Sequence, residues 1–64
     1  MPVITVKMGK ASVEKKKELI EKLTSAATEV TNIPASSYTV FIDEFEYDSI
    51  GVGGQTLAEK FATK

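Results

Sequence analysis

A mixed α/β (α+β) fold is expected for this 64-residue chain: a β-α-β unit with parallel strands, closed by a short C-terminal hairpin. Three features point to it. An alternating apolar segment opens the sequence, a long stretch of helical periodicity follows, and a second β-prone run separates a proline from a glycine cluster. Strand-helix-strand order with a crossover of this length permits parallel pairing through a right-handed connection.

Residues 3 to 8 read Val-Ile-Thr-Val-Lys-Met. Ile4, Val6 and Met8 alternate with Thr5 and Lys7, the period of a half-buried strand that begins at Pro2. Gly9-Lys10-Ala11 forms a short connection, and Ser12 is placed to cap a helix with Glu14 in its first turn. Across residues 13 to 31, Leu19, Ile20, Leu23, Ala26, Ala27 and Val30 recur at helical spacing and define a core face. Glu14, Lys17, Glu18, Glu21 and Lys22 occupy the other side, with Glu18 and Lys22 an opposite-charge pair one turn apart. Asn32-Ile33-Pro34 ends the helix, because the residue before a proline is biased away from helical dihedrals, and Ala35-Ser36-Ser37 supplies a turn. The second strand spans Tyr38 to Phe45. Both of its faces are apolar or β-prone, which suits a sheet lying between its own helix and a neighbour. Gly51-Val52-Gly53-Gly54 fits a tight turn or small hairpin, and Leu57 to Phe61 leans towards helix.

A chain this short forms one domain, residues 1 to 64, with a core that is marginal alone. It has no Cys or His, so neither a disulfide nor a zinc site can supplement that core. Association remains, and a homo-oligomer is expected. The net charge is −1, and four of the eight lysines lie among glutamates on one helix rather than in a basic stripe, which argues against nucleic acid as a partner. No apolar run is long enough for a membrane span or signal peptide, so a cytoplasmic location is expected.

Without His, Cys, Arg or Trp, the sequence excludes a His-based triad, a thiolate nucleophile and an arginine clamp. Asp43, Glu44, Glu46 and Asp48 cluster near a strand end and read as solvated loop acids rather than general acids or metal ligands; no metal is expected. The glycine segment lacks the Lys-Ser/Thr pair of a phosphate loop. Lys10 lies in the strand-to-helix connection, where backbone amides and the helix start add positive potential, and is the candidate for holding an anionic substrate. Pro2 is the candidate base. Methionine before proline is normally trimmed, which exposes a secondary amine fixed by its ring; burial and the charge of Lys10 would lower its pKa into a useful range.

Taken together, Pro2 opening a strand, the helix from Ser12, Pro34 before a second strand, and Gly51-Val52-Gly53-Gly54 resemble the 4-oxalocrotonate tautomerase family. That family belongs to the tautomerase superfamily that includes the macrophage migration inhibitory factor, and the resemblance covers nearly the whole chain. It implies sheet-joined dimers, three of which form a hexamer with active sites at subunit boundaries. It also implies a cofactor-free proton transfer, in which the proline amine takes a proton from an enol or dienol and returns it to carbon. In the family two arginines bind substrate carboxylates and an aromatic residue lines the pocket. The corresponding positions here are Lys10, after a one-residue gap, Thr39 and Ile50, with Tyr47 a possible substitute for the aromatic ring. A point-charge lysine lacks the two-pronged grip of arginine. Low efficiency on the diacid 2-hydroxymuconate is therefore expected, with another enolisable keto acid as substrate. The alternative is a non-catalytic oligomeric scaffold that binds a small anion or a protein. A dehalogenase ranks lowest, because its arginines are missing.

Overall fold

In the computed structural model, which describes residues 1–62, β1 (Val3–Met8) and β2 (Thr39–Glu44) pair in parallel. The register runs from Val3 beside Thr39 to Met8 beside Glu44. The ladder continues past both ends: the Thr39 amide donates to the Pro2 carbonyl at 3.1 Å, and the Phe45 amide to the Met8 carbonyl at 2.9 Å. Parallel strands cannot be joined by a tight turn, and α1 (Val13–Thr31) makes the crossover.

Local chemistry fixes where α1 starts and stops. The Ser12 hydroxyl accepts from the Lys15 amide at 3.1 Å, as a capping serine does. At the other end Asn32 adopts a left-handed conformation, φ 63°, and donates its amide to the Thr28 carbonyl. Asparagine tolerates that region better than most side chains. The Thr31 hydroxyl donates to the Ala27 carbonyl, accepts from the Ile33 amide and hydrogen-bonds the Tyr38 hydroxyl, tying the helix end to the start of β2. Tyr38 thus closes the single 3-10 turn Ala35–Ser37, and the strand begins one residue later than its β-prone pattern suggests.

Alternation divides the sheet. Ile4, Val6 and Met8 are half-buried, whereas Val3, Thr5 and Lys7 are exposed. Leu19, Leu23 and Ala27 on α1 are also half-buried, at the spacing of one helical face. Three positions expected in the core face differ: Ile20, Ala26 and Val30 are exposed, Val30 at 80 %. The reason is geometric. Two strands about 4.8 Å apart are too narrow to cover the full apolar stripe of a helix, so its flanks remain open.

After β2, the single 3-10 turn Tyr47–Ser49 leads to a hairpin of β3 (Gly51–Val52) and β4 (Gln55–Thr56), followed by α2 (Leu57–Ala62). Gly53 and Gly54 form its turn with φ of 63° and 88°, which glycine adopts without a Cβ penalty. Thr56 and Glu59 cap α2 reciprocally: the Thr56 amide donates to the Glu59 carboxylate, and the Glu59 amide to the Thr56 hydroxyl. The Tyr47 and Phe61 rings meet edge to face, 5.0 Å between centroids, and fasten α2 to the turn.

Among the described residues no side chain is fully buried. The radius of gyration is 15.2 Å, against about 11 Å for a compact chain of this length. The accessible surface is 4923 Å², roughly 900 Å² above that of a compact monomer and comparable with what one partner loses in a standard interface. On the face away from α1, Val3 and Phe41 are 58 % and 53 % exposed. This is the geometry expected of a protomer that completes its core on association. Sedimentation equilibrium at micromolar concentration should return several times the 6.9 kDa chain mass. Phe41→Asp should lower that mass and make the Tm more dependent on concentration.

Candidate active site

The register brings two of the sequence-predicted site residues together and keeps the other two away. Pro2 is half-buried at the start of β1, where a residue without an amide proton costs no ladder bond. Its carbonyl accepts from the Thr39 amide, so Pro2 and Thr39 are neighbours at one end of the sheet. Met1 extends beyond them, 94 % exposed.

Lys10 and Ile50 lie at the opposite end. Lys10 borders a hollow of about 290 Å³ with Phe45, Glu46 and Tyr47. Ile50 borders a second hollow of about 300 Å³ with Lys7, Met8, Phe45, Ser49 and Gly51. Phe45 is common to both. At about 3.3 Å per strand residue, β1 sets these hollows some 17 Å or more from Pro2. An enol or keto acid of a few carbons is much shorter than that, so one chain cannot present Pro2 and either Lys10 or Ile50 to the same substrate of that size. Tyr47 belongs to the Lys10 hollow, with its ring close against Gly9: a Cβ there would stand 2.7 Å from Cε1 of Tyr47.

The connection that carries Lys10 is already neutralised by the chain's own acids. The Lys10 ammonium pairs with Glu46 at 3.3 Å. The Ala11 amide donates to Glu44 Oε2 at 2.8 Å, and the Lys16 ammonium to Glu44 Oε1 at 2.9 Å. The amides expected to add to a substrate anion site thus include one that holds an internal carboxylate. Nor is Glu44 a solvated loop acid: it is half-buried at the end of β2 and ties that strand to the β1–α1 connection and to α1. The Ala11 amide, followed by Lys16, holds its carboxyl below the usual carboxylate range. A signal for this existed in the sequence. Lys16 falls on the same helical face as Leu19 and Leu23, where a charge needs a partner.

A β-α-β chain with Pro2 leading into one end of its sheet and a glycine-turned hairpin near the other is the class that fold and site define. The family described as "Tautomerase enzyme" matches residues 2–60, and the chain belongs to it, within the 4-oxalocrotonate tautomerase group. A probable tautomerase of Bacillus cereus is 43 % identical over 61 residues, covering 94 % of this chain and all of the relative. The 2-hydroxymuconate tautomerase of Bacillus subtilis is 39 % identical over 61 residues, covering 92 % and 97 %. Among solved structures, TomN, a 4-oxalocrotonate tautomerase homologue of the tomaymycin biosynthetic pathway, superposes with a TM-score of 0.94 at 32 % identity over 97 % of both chains.

The Glu44 contacts carry a pH signature. A carboxyl whose folded pKa lies below its unfolded value of about 4.5 stabilises the fold fully above that value and loses the contribution as pH falls through the folded pKa. Acid titration of wild type and Glu44→Gln, followed by circular dichroism, should show wild type more stable near neutrality. The difference should shrink as the pH falls below about 4.5.

Proposed function

We propose that this chain is a cofactor-independent tautomerase of small enols and 2-keto acids, with Pro2, freed by removal of Met1, as general base, and with each site shared between copies. The single observation that carries the shared site is the separation along β1. Pro2 and Thr39 stand at one end of the parallel sheet, Lys10 and Ile50 at the other. A second copy joined through an antiparallel, two-fold sheet contact sets its hollows beside the first copy's Pro2, and isologous contact makes two equivalent sites. A 4-oxalocrotonate tautomerase of Chloroflexus aurantiacus, similar in structure with a TM-score of 0.81, is a heterohexamer, which agrees with an assembled site.

While Met1 is attached, the Pro2 nitrogen is an amide whose lone pair is delocalised, and it is no base. As a free secondary amine it takes the enol O–H proton while the carbon–carbon double-bond pair moves to carbon. The resulting ammonium then returns the proton to that carbon, and no oxidant or cofactor is consumed. A lysine nearby both lowers the amine pKa and offsets the charge developing on oxygen. In this reading Thr39, whose amide already bonds the Pro2 carbonyl, supplies its hydroxyl as one further donor. Apolar Ile50 stands where the family has an aromatic wall.

The Lys10–Glu46 pair favours one second reading, a scaffold that keeps the assembly and has lost turnover, because the nearest counterpart of an arginine is already engaged. Kinetics separate the two. Pro2→Ala should reduce kcat/KM for ketonisation of phenylenolpyruvate by about 10²- to 10⁴-fold, the usual worth of a positioned base. Intact mass should show active protein without Met1 and inactive protein with it. Turnover unchanged by Pro2→Ala removes the base; ligand binding with no turnover across several enols selects the scaffold.

A further inference from the structure

The hollow that contains Ile50 has its own cation, and it is not Lys10. By strand alternation and register, Lys7 projects from the face of β1 away from α1, beside Asp43 of β2. Its ammonium lies 3.3 Å from Asp43 Oδ2 and 5.7 Å from the centre of the Phe45 ring. The same side chain lines the hollow of about 300 Å³ with Met8, Phe45, Ser49, Ile50 and Gly51. Of these lining residues Lys7 alone is charged, Ser49 adds a hydroxyl, and Met8, Phe45 and Ile50 are apolar.

We propose that Lys7 is the carboxylate-binding residue of this site, and that the hollow selects monoanionic 2-keto acids and their enols bearing an apolar substituent. The proposal rests on the tautomerase reading above and supplies its substrate class. An ammonium has three N–H donors, so Lys7 can keep Asp43 on one and offer another to a substrate carboxylate. In the single chain the Lys7–Asp43 pair is largely solvated, with side chains 71 % and 43 % exposed, and such pairs are readily shared. Met8, Phe45 and Ile50 accept an aryl or alkyl group, whose burial favours binding without any further polar contact. A second carboxylate fares badly: the lining supplies no second cation, and Asp43 stands beside the first. Lys10 faces the other hollow and is matched by Glu46.

The test compares phenylenolpyruvate with its methyl ester enol, which lacks the carboxylate charge, and with the diacid 2-hydroxymuconate. Lys7→Met should lower kcat/KM for the acid by about tenfold or more, mainly through KM, the loss expected for one charged hydrogen bond. The ester should change by less than about twofold, and Lys7→Arg should restore the acid. Asp43→Asn should narrow the preference of the wild type for phenylenolpyruvate over 2-hydroxymuconate. Equal losses on acid and ester, or a selective loss in Lys10→Met with none in Lys7→Met, overturn the proposal. A binding arm keeps it apart from the choice of base. trans-Cinnamate, a carboxylate that cannot enolise, should shift backbone resonances around residues 7 and 49–51 in wild type and in Pro2→Ala, and much less in Lys7→Met. If Pro2→Ala retains full turnover, the base is wrong while the cinnamate result still decides Lys7. Undiminished cinnamate binding in Lys7→Met rejects Lys7.

Discussion

The parallel pairing of β1 with β2 governs the rest of the molecule. It forces a crossover, which α1 provides. It places Val3 with Thr39, Thr5 with Phe41 and Lys7 with Asp43 on one face, and Ile4 with Val40 and Val6 with Ile42 on the face towards α1. It also sends both strand starts to one end and both strand ends to the other, which separates Pro2 from the hollows near Lys10 and Ile50. A one-residue slip would move each of these side chains to the wrong face. The end bonds from Thr39 to Pro2 and from Phe45 to Met8 hold the register at both limits.

Charge at the strand ends follows the same frame. Asp43 meets Lys7, Glu44 meets Lys16 and the Ala11 amide, and Glu46 meets Lys10. The outer two pairs are solvated and contribute little to stability. Glu44 differs because its half-buried carboxylate joins three segments, and losing it would leave the Ala11 amide and Lys16 without that partner. The acids and lysines therefore do more than balance a net charge: they set the β1–α1 connection against the end of β2.

Much of this was legible in the sequence, because it rests on local rules. The Ile4-Val6-Met8 alternation, the Ser12 cap, the limits of α1 and the Gly53-Gly54 turn each express a preference over a few residues. The Thr56-Leu57-Ala58-Glu59 capping pattern was equally readable and marks the start of α2 more sharply than helical leaning alone. The rest depends on what distant segments meet. Ile20 and Val30 share a helical stripe with Leu23, yet only the width of the sheet decides which of them is covered. Likewise the sequence does not reveal that Glu44 reaches Ala11 or that Lys7 shares a hollow with Ile50, since neither partner is near in the chain. The family resemblance was carried by Pro2, the helix from Ser12, Pro34 and the glycine segment taken together, each of them a local signal.

The molecule measures 45 × 24 × 16 Å, and its thin dimension is little more than one helix laid on one sheet. In so thin a body nearly every side chain is within reach of a surface, and in a symmetric assembly each surface recurs in every copy. In such an assembly a single substitution is repeated in every copy. Small improvements at an interface add up across the particle, and small defects add up as quickly. A chain with no fully buried side chain among its described residues has little private interior, so where copies associate, their fit to one another takes over the part a core plays in a larger domain.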